Sequence, residues 1–174
     1  MENSRETNLK ETDLKETDLR EIDPREILGP IAHIYRSHLA YMAKELEAYR
    51  LGSGQFEFLL ILYHKDSVSQ ETLAKILKVS KATSTRAIQS LEKEGYVYRE
   101  RDESDLRAYK VHLTEKGKEM RNLIFKKLMS FTDILFSDFT LEEKEIFRLL
   151  IHKASTKFFD FEFEPLSYRP ENAK

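Results

Sequence analysis

The stretch S-K-A-T-S-T-R-A-I-Q-S-L-E-K-E-G, Ser80 to Gly95, decides how this chain is read. Ser80 offers a hydroxyl to the orphan amides of a helix start, and Gly95 suits the left-handed position just past a helix end. Stepping about 100° per residue puts Ser84, Ala87, Ile88 and Leu91 on one side, the core face. The opposite side presents Ala82, Arg86, Gln89 and Lys93, flanked by Thr83, Thr85 and Ser90, with Glu92 and Glu94 kept to the last turn. An ordinary solvated face would be a mixture of Glu and Lys. The Thr83-Ser84-Thr85 run argues against that, because short β-branched and hydroxyl residues are poor helix formers. Such residues suit a helix in the major groove of DNA, where Arg reads guanine, Gln reads adenine and hydroxyls reach base edges and phosphates. Ser80, Lys81, Ala82, Thr83, Thr85, Arg86, Gln89, Ser90 and Lys93 are the candidate DNA-contacting residues.

Charge patterning agrees. The net charge of −2 argues against a general polyanion binder. Residues 1–26 hold nine acids and five bases, leaving +2 for the remainder. Between Thr72 and Leu91 there is no acid, while Lys75, Lys78, Lys81 and Arg86 all lie there. One acid-free basic stretch in an acidic protein points to a local anionic partner.

Working outward, Ser67 or Ser69 opens a preceding helix with Leu73, Ala74 and Leu77 inward, so the pair forms a helix-turn-helix. After Gly95 the apolar period becomes two. Tyr96–Arg99 and Ala108–Leu113 read as short strands joined by a charged link, a wing that contributes Arg101. Upstream, D-P-R-E at Asp23 to Glu26 starts a helix. Ile27, Ile31, Ile34, His38, Leu39, Met42 and Leu46 carry it to Gly52, and a helix from Gln55 to about His64 follows. Downstream, Thr114 caps a long helix with Met120, Leu123, Ile124, Leu128, Phe131 and Leu135. Thr140–Glu143 is a capping box for a last helix, with Ile146, Leu149, Leu150 and Phe158 expected inward. The end, FFDFEFEPLSYRPENAK, reads equally as a frayed helix end or an extended arm. The expected fold is mainly α with a small β-hairpin wing, a winged helix-turn-helix flanked by N- and C-terminal helices.

From about Gln55 to Gly117 the chain resembles the MarR family of winged helix-turn-helix transcription regulators. The phrase LAKILKVSKATSTRAIQSLEKEGYVYR carries the likeness. So does the wing signature of Asp105, Arg107, Leu113 and Thr114, although Leu106 stands where many members have a second Arg. The resemblance extends over about Arg25 to Phe159. It implies that Arg107 enters the minor groove, oriented by Asp105, in keeping with the attraction of a narrow groove for guanidinium. It also implies a homodimer on a palindromic double-stranded DNA operator, with dimerisation helices at 24–51 and 114–160 around a winged unit at 55–117. A small aromatic or anionic effector would sit near His33, Arg36 and His38. The alternative is a winged module that binds protein or RNA.

The first 25 residues repeat with a period of five as ETNLK, ETDLK, ETDLR and EIDPR, phrasing that resembles pentapeptide-repeat proteins. Four repeats are too few to stack into a core, so residues 1–22 read as a dispensable tail, and 161–174 as a second tail. The absence of cysteine fits a reducing compartment. No apolar run approaches the ~20 residues of a membrane span, and the expectation is a cytoplasmic protein. The histidines (His33, His38, His64, His112, His152) show no metal-ligand spacing, G-S-G at Gly52 to Gly54 lacks a phosphate-loop sequel, and neither enzyme chemistry, cofactor nor metal is expected.

Overall fold

The computed structural model describes residues 23–102 and 109–158. In chain order these form α1 (Pro24–Glu45), α2 (Gln55–His64), β1 (Val68–Ser69), α3 (Gln70–Ile76), α4 (Lys81–Lys93), β2 (Val97–Arg101), β3 (Tyr109–Leu113), α5 (Glu115–Leu135) and α6 (Leu141–Ser155). Single 3-10 turns follow α1 (Glu47–Tyr49) and α6 (Thr156–Phe158). The chain divides into two compact units at Ser37, inside α1. The two tails and the wing tip, with Asp105 and Arg107, lie outside the described residues.

In the first unit, Pro24 opens α1 and the Asp23 carboxylate accepts the Arg25 amide at 2.9 Å. Here Ile27, Leu28, Ile31 and Tyr35 are exposed.

In the second unit α1 stops at Glu45, short of the Gly52 read from the sequence. The chain tightens there into a 3-10 turn, with Arg50 left-handed at φ 56°, and this delivers both Leu46 and Leu51 to the core. Ser69 rather than Ser67 caps α3, accepting the Thr72 amide at 3.1 Å. Ser67 turns the chain at φ 63°. The cap residue also belongs to a strand that the sequence did not disclose: β1 pairs antiparallel with β3, Val68 opposite Val111 and Ser69 opposite Lys110. The sheet is therefore three-stranded in the order β1-β3-β2.

Helix α4 is bounded as its sequence requires. The Ser80 hydroxyl accepts the Thr83 amide at 3.1 Å. At the far end Gly95 sits at φ 77°, its amide donates to Glu92 O, and the Tyr96 amide donates to Leu91 O. Those two bonds make a Schellman motif, which satisfies the last carbonyls of the helix. Ile88, Leu91 and Tyr96 enter a core with Met42, Phe56, Leu59, Leu62, Leu73, Val111 and Ile124. Buried Tyr96 keeps a partner, its hydroxyl donating to Tyr49 O at 2.7 Å.

Helix α5 begins against this corner. The Thr114 hydroxyl donates to Gly95 O at 2.7 Å and accepts the Gly117 amide at 3.0 Å. A Cβ on Gly117 would lie 2.1 Å from Tyr96 O, so only glycine permits the approach. Along α5, Met120, Ile124 and Phe125 are buried. Helix α6 opens with the expected capping box, Thr140 and Glu143 exchanging bonds of 2.8 and 3.2 Å. The expectation that its apolar stripe points inward fails within this chain. Ile146, Leu149, Leu150 and Phe158 are 53–69% exposed, and α6 buries no residue. No helix among the described residues is long and apolar enough to cross a membrane.

Candidate nucleic-acid interface

Two side chains of α4 bond to Gln70 at the start of α3. Ser84 is fully buried, and its hydroxyl donates to Gln70 O at a long 3.5 Å. The Gln70 side-chain amide donates to the Thr85 hydroxyl at 2.7 Å, and that hydroxyl donates in turn to Lys81 O at 2.9 Å. The Thr83-Ser84-Thr85 run thus divides its labour. Ser84 and Thr85 set the attitude of α4 on α3, while Thr83 shares a hydroxyl contact of 2.9 Å with the cap residue Ser80.

What remains on the outward side is exposed. Ser80, Lys81, Ala82, Thr83, Arg86, Gln89 and Lys93 are all exposed, and Thr85 and Ser90 are partly so. Among the described residues, no hydrogen bond or ion pair engages the side chains of Lys81, Arg86, Gln89 or Lys93. The other two cations of the acid-free stretch are engaged. Lys75 pairs with Glu71 at 2.7 Å, and Lys78, left-handed at φ 52°, donates to Phe158 O at 2.6 Å.

The wing is a regular hairpin whose register runs from Val97 opposite Leu113 to Arg101 opposite Tyr109. Arg99 joins it to α4: Nε and Nη2 both reach Glu92 Oε2, at 3.0 and 2.6 Å, and the guanidinium lies 5.7 Å from the Tyr109 ring centre. On the other face Tyr98 stacks on His112 with ring centres 5.0 Å apart, and Glu100 approaches His112 Nε2 at 3.6 Å. Arg101 is exposed at the end of β2. Gln70, Glu92 and Arg99 were not among the residues singled out from sequence. Their contacts join positions 15 and 7 residues apart on different elements, which no periodicity discloses.

The three proposed effector residues have unlike settings. His33 and Arg36 are exposed in the first unit, whereas His38, in the second, is half-buried. Its ring lies 5.4 Å from that of Phe56 and 5.0 Å from that of Phe131, and burial lowers its pKa. An open groove of about 500 Å³ at the end of α1, lined by Ala43, Lys44, Glu47, Arg50, Leu51 and Gly52, includes none of the three. Among the described residues no group of three or more His, Asp or Glu side chains could hold a metal ion.

A helix-turn-helix with an antiparallel wing, presenting exposed cations on its second helix, defines a winged-helix protein. The MarR family model matches residues 51–109. YybA, an HTH-type transcriptional regulator of Bacillus subtilis, is 34% identical over 127 residues, 73% of this chain and 85% of the relative. The crystal structure of a MarR transcriptional regulator from Methanosarcina mazei superposes with a TM-score of 0.70 at 42% identity, over 75% of this chain and 96% of that one. A putative MarR family regulator from Listeria monocytogenes, solved in complex with a 26mer DNA, gives 0.69 at 27% identity, over 75% and 87%. The chain belongs to the MarR family of transcriptional regulators, which are not enzymes.

Proposed function

We propose that this regulator binds double-stranded DNA as a homodimer on a palindromic operator, with α4 in the major groove. Arg86 and Gln89 would read bases from its middle, Lys81, Thr83, Ser90 and Lys93 would hold phosphates and edges, and Ser80 with Ala82 would border the backbone. The wing would contribute Arg101 and, at its tip, Arg107 oriented by Asp105. The observation that carries the reading is that Lys81, Arg86, Gln89 and Lys93 share one exposed face and that no side-chain hydrogen bond or ion pair engages them among the described residues. Exposed cations on a helix fixed by Ser84 and Thr85 are poised for an external anion. The DNA-bound Listeria relative supports the same reading. Two-fold assembly is supported by the uncovered apolar stripes of α1 and α6, and it would set two α4 helices about one turn of DNA apart. Release by a small aromatic or anionic effector draws its support from the family and from the half-buried ring of His38 between Phe56 and Phe131.

The experiment is selection of bound sequences from random duplex DNA by the purified full chain. The expected product is an inverted repeat whose affinity falls steeply with salt. A pool with no enriched sequence would overturn operator recognition.

A further inference from the structure

We propose that Lys78 binds a DNA phosphate, and that until DNA arrives its ammonium is held by a carbonyl at the end of α6. This rests on reading α4 as the helix that enters the groove. Lys78 ends α3: its amide donates to Lys75 O at 3.1 Å, and the Val79 amide donates to Ala74 O at 3.0 Å. That is the same Schellman pattern that ends α4, where Gly95 fills the left-handed position at φ 77°. At the end of α3 a lysine fills it, at φ 52°.

A side chain in the left-handed region costs stability that glycine would not. A residue kept there at that cost points to a use for its side chain. Packing is not that use, because Lys78 is exposed. Nor is an ion pair among the described residues: the ammonium donates to the neutral Phe158 carbonyl at 2.6 Å. Arg50, another left-handed cation, instead lies 3.8 Å from the Glu94 carboxylate. Position supplies the use. In a helix-turn-helix on DNA the first helix crosses the phosphate backbone, and the start of the second reaches base edges. Lys78 stands between the two, two positions before the cap Ser80, and so at the backbone.

Phe158 closes the 3-10 turn after α6, a helix that buries none of its own residues. The Lys78 bond thus ties the end of an association helix to the helix-turn-helix, across 80 positions of sequence. A phosphate carries full charge and releases counterions when it is neutralised, so it outcompetes a neutral carbonyl for the ammonium. Arrival of DNA then breaks the tie. By reciprocity, whatever tightens the tie weakens DNA binding by the same factor. Phosphates are alike at every site, so Lys78 adds affinity without adding base preference.

The test uses the full chain with Lys78→Asn, which tolerates the left-handed backbone without a cation, and Lys78→Arg, which keeps the charge. Each is titrated with the selected operator and with random-sequence duplex over a range of salt. Lys78→Asn is expected to bind both duplexes roughly tenfold more weakly at low salt, with the slope of log affinity on log salt reduced by about 0.9 per copy. Lys78→Arg is expected to keep the parent slope. An unchanged slope in Lys78→Asn, or an equal loss in Lys78→Arg, overturns the phosphate contact and leaves the reading of α4 intact. A parent protein that binds neither duplex overturns that reading, and the proposal with it. A second measurement needs no DNA: backbone amide exchange over residues 152–158 is expected to quicken in Lys78→Asn. Exchange as slow as in the parent overturns the tie to α6.

Discussion

Thr85 and Arg86 are neighbours on α4 in opposite situations. The Thr85 hydroxyl gives its proton to Lys81 O and takes one from Gln70, whereas the Arg86 guanidinium is exposed and unengaged among the described residues. Arg86→Ala is expected to weaken operator binding by about 1–3 kcal/mol and to relax base preference at one position of each half-site. Binding of a panel of single-base operator variants measures both effects, and unchanged affinity would show that another face of the helix reads the bases. His38 makes a different kind of prediction. Burial disfavours its charged form, so the folded ring takes up a proton at lower pH than the ordinary value of 6.5. The unfolded chain therefore binds the extra proton first, and stability that is complete above that value declines as pH falls below it. His38→Phe, which keeps an aromatic ring beside Phe56 and Phe131, is expected to flatten the fall of Tm on mild acidification. A variant as acid-sensitive as the parent would remove His38 from the account.

At the scale of elements, the Arg99–Glu92 pair fixes the wing relative to α4. Both side chains are about a third exposed, 27% and 35%, so the pair contributes little to stability, of the order of 1 kcal/mol or less. Its larger effect is geometric. Arg99→Gln is expected to weaken operator binding while leaving Tm nearly unchanged, and the exchange Glu92→Arg with Arg99→Glu to recover part of the loss. A double-mutant cycle on affinity checks this, and simple additivity would deny the coupling. Elements of this kind were unevenly legible. Helix α4 could be read end to end because Ser80 and Gly95 are chemical signals at fixed positions and its core face repeats. Strand β1 could not, since two residues have no period, and neither could the 3-10 turn after α1, which exists to bring Leu46 and Leu51 to the same core. The Gln70–Thr85 and Arg99–Glu92 contacts were invisible for a further reason: a sequence lists side chains but not which elements meet.

For the whole molecule, the misread stripe of α6 is the informative case. Periodicity shows that Ile146, Leu149 and Leu150 share a face, but not whose surface covers it. Within this chain nothing among the described residues does, and contiguous exposed apolar residues of that kind mark an association surface. Leu150→Asp replaces a residue that is 60% exposed, so it is expected to leave helicity intact, to shift sedimentation from dimer to monomer and to weaken operator binding. A parent protein that sediments as a folded monomer at micromolar concentration would sink both the dimer and the palindromic site.

The small sheet has a consequence for how copies of this chain can meet. Its order, β1-β3-β2, leaves two edges. One is the two-residue β1, too short to template another strand. The other is β2, where Arg99, Glu100 and Arg101 occupy consecutive positions of the outer ladder. Short or charged edges discourage strand addition and the open-ended stacking that leads to fibres. The apolar face of α6 thus stands beside a sheet that offers strangers little means of attachment through its backbone, and association is steered to the helices.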